Sequence, residues 1–299
     1  MNAAITRRTL LGSTSALAVA ALTSPALGTE VPQRVGGPHL RVGCCAYSYR
    51  DFLTGKRQPF MTLTDFLNAV AEAGADGVEL TAYYFPQSPS QAYLRNLVRR
   101  AFLLGLDING TAVGNRFTLP PGEERNREIR MVKQWIDYSV DLGAPCLRIF
   151  AGTPPKGVAD EQAMQWVIEC CNECCEYAAT RGVMLALENH GGVVATADGV
   201  LRIMQAVQSP WFGMKLDGGN FHTADPYADL ARCAPWAITT HIKTEVYPSG
   251  RRQKADLARI VSILRAARYR GYLHLEYEGA EDPLVAIPRT LHQLETLTK

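Results

Sequence analysis

The chain has 299 residues, with 31 Lys and Arg against 29 Asp and Glu and no lysine-rich run or basic stripe, which argues against a nucleic-acid surface. Eight cysteines in a chain of this length do not make a disulfide scaffold. After the first thirty residues no apolar stretch approaches the roughly 20 residues needed to span a bilayer.

The first element is a targeting segment. Thr6-Arg7-Arg8-Thr9-Leu10-Leu11 carries a twin arginine, residues 15–22 are Ala/Leu-rich and apolar, and Ser24-Pro25-Ala26-Leu27-Gly28 offers small residues for cleavage. Residues 1–28 are therefore expected to be a twin-arginine export signal, leaving a periplasmic or otherwise extracytoplasmic protein with no stable membrane insertion. That route carries folded proteins, so a cofactor would be acquired before export. Residues 29–299 remain as a single catalytic domain, a length typical of one α/β barrel.

Strand and helix signals then alternate, with no low-complexity linker to divide them. Leu40–Tyr47, Asp76–Thr81, Asp107–Val113 and Cys146–Ala151 read as strands. Thr62–Ala73, Gln91–Leu104, Asn126–Leu142 and Gln162–Thr180 read as the helices between and after them. Val183–Glu188, Phe212–Asp217, Ile238–Lys243 and Tyr272–Tyr277 supply four more strands, with helices at Ala197–Val207, Pro226–Ala234, Ala255–Tyr269 and Pro283–Leu297. An open doubly wound sheet usually shows a glycine-rich phosphate loop after its first strand, whereas here that position holds Ala46-Tyr47-Ser48-Tyr49-Arg50. The expected fold is α/β, a (β/α)8 TIM barrel. The helix at 162–180 carries Cys170, Cys171, Cys174 and Cys175 at spacings that make them neighbours, which reads as small apolar filling of a buried face.

The last four strands share one further property. Each apolar run ends on a metal-ligating side chain: Glu188 in Leu-Glu-Asn-His-Gly-Gly, Asp217 in Leu-Asp-Gly-Gly-Asn-Phe-His, His241 in His-Ile-Lys-Thr-Glu, and Glu276 in His-Leu-Glu-Tyr-Glu-Gly. They recur roughly 25 to 35 residues apart, about one strand–helix unit of a barrel, whose chemistry lies at the carboxyl ends of its strands. Three carboxylates and an imidazole meeting there suit a hard or borderline divalent cation. Residues two apart share a face, so Glu188 goes with His190, Lys215 with Asp217, His241 with Lys243 and Glu245, and Glu276 with His274 and Glu278. In the second strand Glu79 stands between apolar neighbours, where a carboxylate either points into a polar mouth or pairs with a cation. Glu79, Asn109, His190, His222 and Lys243 are the expected substrate-binding groups. Tyr47, Tyr83, Tyr84, Asn115 and Phe117 offer further stacking or hydrogen bonding.

On these motifs the chain resembles the sugar phosphate isomerase/epimerase superfamily, the xylose-isomerase-like barrels that include tagatose epimerases and hydroxypyruvate isomerases. The resemblance covers nearly the whole mature chain and is strongest from Glu188 to Gly279. It implies one divalent ion, with manganese the leading expectation and magnesium, cobalt or zinc as alternatives, held by Glu188, Asp217, His241 and Glu276. It also implies that Glu188 and Glu276 are the catalytic acid/base pair, moving protons beside a carbonyl through an enediolate. His222 resembles a histidine that approaches substrate oxygens, although it lies farther from Asp217 than in tagatose epimerases. With only Lys243, Arg251 and Arg252 as nearby cations, the expected substrate is a non-phosphorylated sugar, keto-sugar or cyclitol. A keto-sugar or 3-keto-glycoside lyase or hydratase shares the enolisation. A non-catalytic sugar-binding barrel would bind without metal. The endonuclease-IV-like barrels, with three zinc ions, need more histidines than the six present. Exposed barrel helices leave room for a homo-oligomer.

Overall fold

A computed structural model describes residues 31–299, so the expected export signal lies outside the described residues. Short runs buried along almost their whole length form parallel strands, each followed by an amphipathic helix. The strands are β1 (His39–Cys45), β2 (Gly77–Thr81), β3 (Asp107–Ala112), β4 (Cys146–Ile149), β5 (Met184–Glu188), β6 (Phe212–Asp217) and β7 (Ala237–Ile242). A small antiparallel hairpin, β8 (Glu245–Val246) and β9 (Gln253–Lys254), precedes the last barrel strand, β10 (Arg270–Leu275). The eight long strands close into a ring in the order β1-β10-β7-β6-β5-β4-β3-β2, the expected barrel.

Nine helices are described around it: α1 (Arg50–Leu53), α2 (Leu63–Glu72), α3 (Gln91–Leu103), α4 (Glu123–Leu142), α5 (Asp160–Arg181), α6 (Ala197–Ala206), α7 (Pro226–Cys233), α8 (Leu257–Ala266) and α9 (Pro283–Thr298). Their starts carry local signals. Thr62 and Asp65 close a capping box on α2, Ser90 accepts from the Tyr93 amide, and Asp256 accepts from the Arg259 amide. Among the described residues no helix is long and apolar enough to cross a membrane.

Element ends differ from expectation at a few places, each with a local cause. Helix α4 begins at Glu123, three residues early, because Glu123 and Glu124 suit the positive end of a helix and Gly122 turns the chain before them. Helix α8 stops at Ala266 because Arg268 adopts a left-handed φ of 53°. β10 ends at Leu275, and Glu276 lies just beyond it.

Inside the ring, glycines make room for bulky partners. A Cβ at Gly43 would fall 2.7 Å from the His274 ring, and one at Gly77 would fall 2.7 Å from the Tyr272 ring. Outside it, Cys170, Cys171, Cys174 and Cys175 are all buried on α5 with free thiols, the apolar filling expected of them. Burial pushes the Cys170 and Cys175 thiols up to about 12. Burial raises Cys146 and Cys233 equally. A thiol that is both inaccessible and un-ionised is a poor nucleophile. At about pH 8 the native protein is expected to leave most of its eight thiols unreacted toward a disulfide reagent such as DTNB, and all eight should react in guanidinium. Rapid native reaction at the α5 positions would show that this face opens.

Candidate active site

The four expected ligands converge. β6 and β7 pair with Asp217 opposite His241, while β5 and β10 flank that pair in the ring. Glu188 and Glu276 thus approach from the two sides. One donor atom from each of Glu188, Asp217, His241 and Glu276 lies within 4.8 Å of all the others, and all four residues are buried. His241 Nδ1 stands 3.6 Å from Glu188 Oε2, Asp217 Oδ2 and Glu276 Oε1 alike.

Whether a cation fits can be judged from hydrogen bonding. Buried polar atoms are nearly always partnered. Besides Arg148 Nε, three buried atoms here have no hydrogen-bond partner: Glu188 Oε2, Asp217 Oδ2 and His241 Nδ1. They are the same atoms that face one another across the centre. Three oxygens and one imidazole nitrogen are the donor set of a divalent ion such as manganese or zinc. The residues present fit the metal.

Side chains pointing the other way at the strand ends hold this geometry. Asn189, next to Glu188, turns outward; its amide donates to Asp217 O at 3.1 Å and its oxygen accepts from Asp217 N at 2.8 Å. Ser48 accepts from the Tyr277 amide at 2.8 Å and donates to Leu275 O at 2.9 Å, bracketing Glu276. Asn115 clamps Phe150 in the same way between the ends of β3 and β4. Each clamp ties neighbouring strands together just past their last paired residues.

Three buried cations offset the carboxylates. Arg148 Nε lies 3.2 Å from Glu188 Oε2. Burial opposes ionisation of Glu188, yet Arg148 beside it holds the carboxyl well below its usual range. Burial raises the Glu276 carboxyl instead, against the opposing pull of His241 and Lys243. The two glutamates are thereby driven apart. Lys243 Nζ sits 3.3 Å from Glu276, 2.7 Å from Glu278 and 2.9 Å from Asn220 Oδ1. Burial disfavours its charge, but Asp217 and Glu276 hold the amine well above the ordinary lysine range. The third cation, Lys215, pairs with Glu79.

The expected substrate-binding residues divide. Lys243 is at the centre. His190 and His222 are exposed on the rim and share, with Asn220 and Thr153, a cavity of about 350 Å³; His190 lies over Phe150 and His222 stacks on Tyr247, both at 4.5 Å. Glu79 and Asn109 are engaged by side chains within the barrel, Glu79 by a cation, one of the two readings its apolar neighbours allowed. Both oxygens of Glu79 are engaged inside the barrel, one by Lys215 and the other by His241 Nε2 at 2.7 Å. Asn109 lies deeper, its Oδ1 2.7 Å from His274 Nε2. Glu245, on the same face as His241 and Lys243, is engaged by Arg252. The residues that sequence reasoning missed are Arg148, Asn220 and Asn189. A charge inside the apolar run Cys-Leu-Arg-Ile-Phe was a usable signal for Arg148, the same signal that drew notice to Glu79. Asn220 donates to Glu188 Oε1 at 3.0 Å from a loop position that carries no periodic signal.

A closed parallel barrel with its acids gathered at the carboxyl ends of the last strands defines a class. Residues 67–297 match the family described as xylose isomerase-like TIM barrel, and the chain belongs to it. No curated protein matches the chain by sequence. Among solved structures it is similar to D-psicose 3-epimerase from Clostridium cellulolyticum H10, at TM-score 0.70 and 14% identity over 86% of this chain and 99% of that one. It is also similar to the 3-keto-D-glucoside 4-epimerase YcjR from E. coli, at TM-score 0.66 and 17% identity over 87% and 99%. A third likeness is to the IolI protein with a bound zinc atom, at TM-score 0.69 and 18% identity over 86% and 96%. At these identities the likeness is one of fold.

Adding manganese or zinc to chelator-treated protein is expected to raise the melting temperature, and Asp217→Asn should abolish that rise. Without metal the variant should melt no lower than wild type, because one of three mutually repelling carboxylates is gone while the Gly219 amide keeps its acceptor. Differential scanning fluorimetry reads both effects.

Proposed function

We propose that this protein is a divalent-metal-dependent isomerase or epimerase of a non-phosphorylated sugar, keto-sugar or cyclitol. The observation that carries the reading is the pair Glu188 and Glu276, set on opposite sides of a buried donor cluster in which Glu188 Oε2, Asp217 Oδ2 and His241 Nδ1 make no hydrogen bond. The sugar epimerases among its structural likenesses support the same reaction class.

A divalent ion held by Glu188, Asp217, His241 and Glu276 would polarise the carbonyl and hydroxyl oxygens of a keto-sugar and lower the energy of the enediolate. Manganese is the leading identity, and the zinc in one solved likeness keeps zinc among the alternatives. The chain's own groups do the rest. One glutamate takes the proton from the carbon beside the carbonyl and the other returns a proton from the opposite face, a transfer worth on the order of a hundred- to ten-thousand-fold. Lys243, fixed by Glu278 and Asn220, presents its ammonium to a substrate oxygen. His190 and His222 line the entrance where the rest of the sugar would lie. Of the three nearby cations, Arg252 is engaged by Glu245 and Lys243 by the site acids, which leaves Arg251 alone for a phosphate and supports a neutral substrate.

The decisive experiment is deuterium uptake from D2O into a panel of unphosphorylated ketoses, keto-glycosides and inososes, with manganese or with chelator. Metal-dependent exchange is expected, and Glu276→Gln should reduce it about a hundredfold or more. The position labelled, and whether water is lost, separates epimerisation from the lyase chemistry. Tight sugar binding with no exchange under any condition would favour a binding barrel.

Export is part of the proposal. The twin arginine and the apolar segment at 15–22 support translocation of the folded, metal-loaded protein to the periplasm. Replacing Arg7 and Arg8 by Lys should shift the protein from the periplasmic to the cytoplasmic fraction of a host with this route. Unchanged fractionation would remove the export reading.

A further inference from the structure

Beneath the donor cluster lies a second group of buried polar side chains that supplies none of the four ligand atoms. Lys215 stands two residues before Asp217 on β6, and its Nζ, wholly buried, pairs with Glu79 Oε2 across the barrel. The other Glu79 oxygen lies 2.7 Å from His241 Nε2 and 3.4 Å from Cys45 Sγ. Lys215 also reaches Thr239 Oγ1 at 3.4 Å. The glutamate is thus fully occupied, and one of its two main partners is the imidazole of the donor cluster.

We propose that Glu79 and Lys215 are the positioning pair of His241, holding its proton on Nε2 so that the Nδ1 lone pair faces the metal. This rests on the metal-dependent reading above. An imidazole has two nitrogens, and the hydrogen bond made by one decides which is free to ligate. A carboxylate at Nε2 keeps a proton there, fixes the ring plane and strengthens the opposite nitrogen as a donor. His241 Nδ1 is correspondingly a buried atom without a partner, 3.6 Å from each of the three carboxylates. Lys215 makes the arrangement tolerable, because a fourth carboxylate beneath three others would otherwise add to their repulsion. Stability alone does not account for the pair. A buried ion pair can often be replaced by apolar residues of similar volume at no loss, so a glutamate and a lysine in the middle of a barrel point to a task.

The test compares two double variants of the full chain, Glu79→Leu/Lys215→Met and Glu79→Gln/Lys215→Met. Both remove the buried charges together, which avoids leaving one unpaired. Only the second keeps an oxygen to accept from Nε2. Manganese and zinc are titrated calorimetrically into the chelator-treated proteins, with thermal melts to confirm folding. The leucine variant is expected to bind about 10- to 100-fold more weakly than wild type. The glutamine variant should bind within a few-fold of it, about the range left by an intact hydrogen bond. Equal binding by the leucine variant would overturn the proposal. If wild type binds neither ion, the metal-dependent reading itself falls and takes this inference with it. Should either variant fail to fold, nitrogen-15 spectra of histidine-labelled, zinc-loaded wild type decide the matter: a proton retained on His241 Nε2 is expected, and metal on that nitrogen refutes it.

Discussion

Glu188, Asp217 and Glu276 point at one buried centre, and the polar interior of the barrel is organised around their mutual repulsion. Like charges at such separations cannot all ionise in a dry environment without compensation. Arg148 answers Glu188 from β4, Lys243 answers Asp217 and Glu276 from just past β7, and the central atoms are left facing one another. Three carboxylate oxygens and an imidazole nitrogen so placed are a donor set that suits a divalent ion. Removing either cation would take away the nearest compensation of a buried carboxylate.

The barrel makes that concentration of charge possible by dividing labour along each strand. Successive side chains alternate between the ring interior and the helix layer, so one short strand serves both chemistry and packing. In β6, Met214 and Leu216 are buried in the hydrophobic core that the helices cover, whereas Lys215 and Asp217 belong to the polar interior. The outward layer is continuous and apolar, and it supplies the stability against which the strained electrostatics of the mouth are set.

All eight strands and most helices were legible in the sequence, because barrel strands buried on both faces read as apolar runs and the helices between them carry caps and amphipathic spacing. The ligand quartet was legible for a related reason: ligating residue types ended each of the last four runs. What escaped depends on distance along the chain. Glu79 and Lys215 are 136 residues apart, and nothing local at either position announces the other. Asn109 went astray through a register shift. Val78 pairs with Ile108 but Glu79 with Gly110, so Asn109 is passed over and reaches His274 deep in the ring instead of the mouth. Arg148 declared itself as a charge among apolar neighbours, but its partner lay on the adjacent strand, 40 residues on.

The amide and hydroxyl clamps of Asn189, Asn115 and Ser48 have a bearing on how such a scaffold diversifies. By carrying strand registration beyond the last backbone pairing, they anchor the reactive groups to the rigid ring and not to the loops above it. The loops are then at liberty to lengthen, shorten or change composition while the reactive centre stays in place. A socket with an interchangeable collar can acquire new substrates by drift at its rim, without first dismantling the machinery that acts on them.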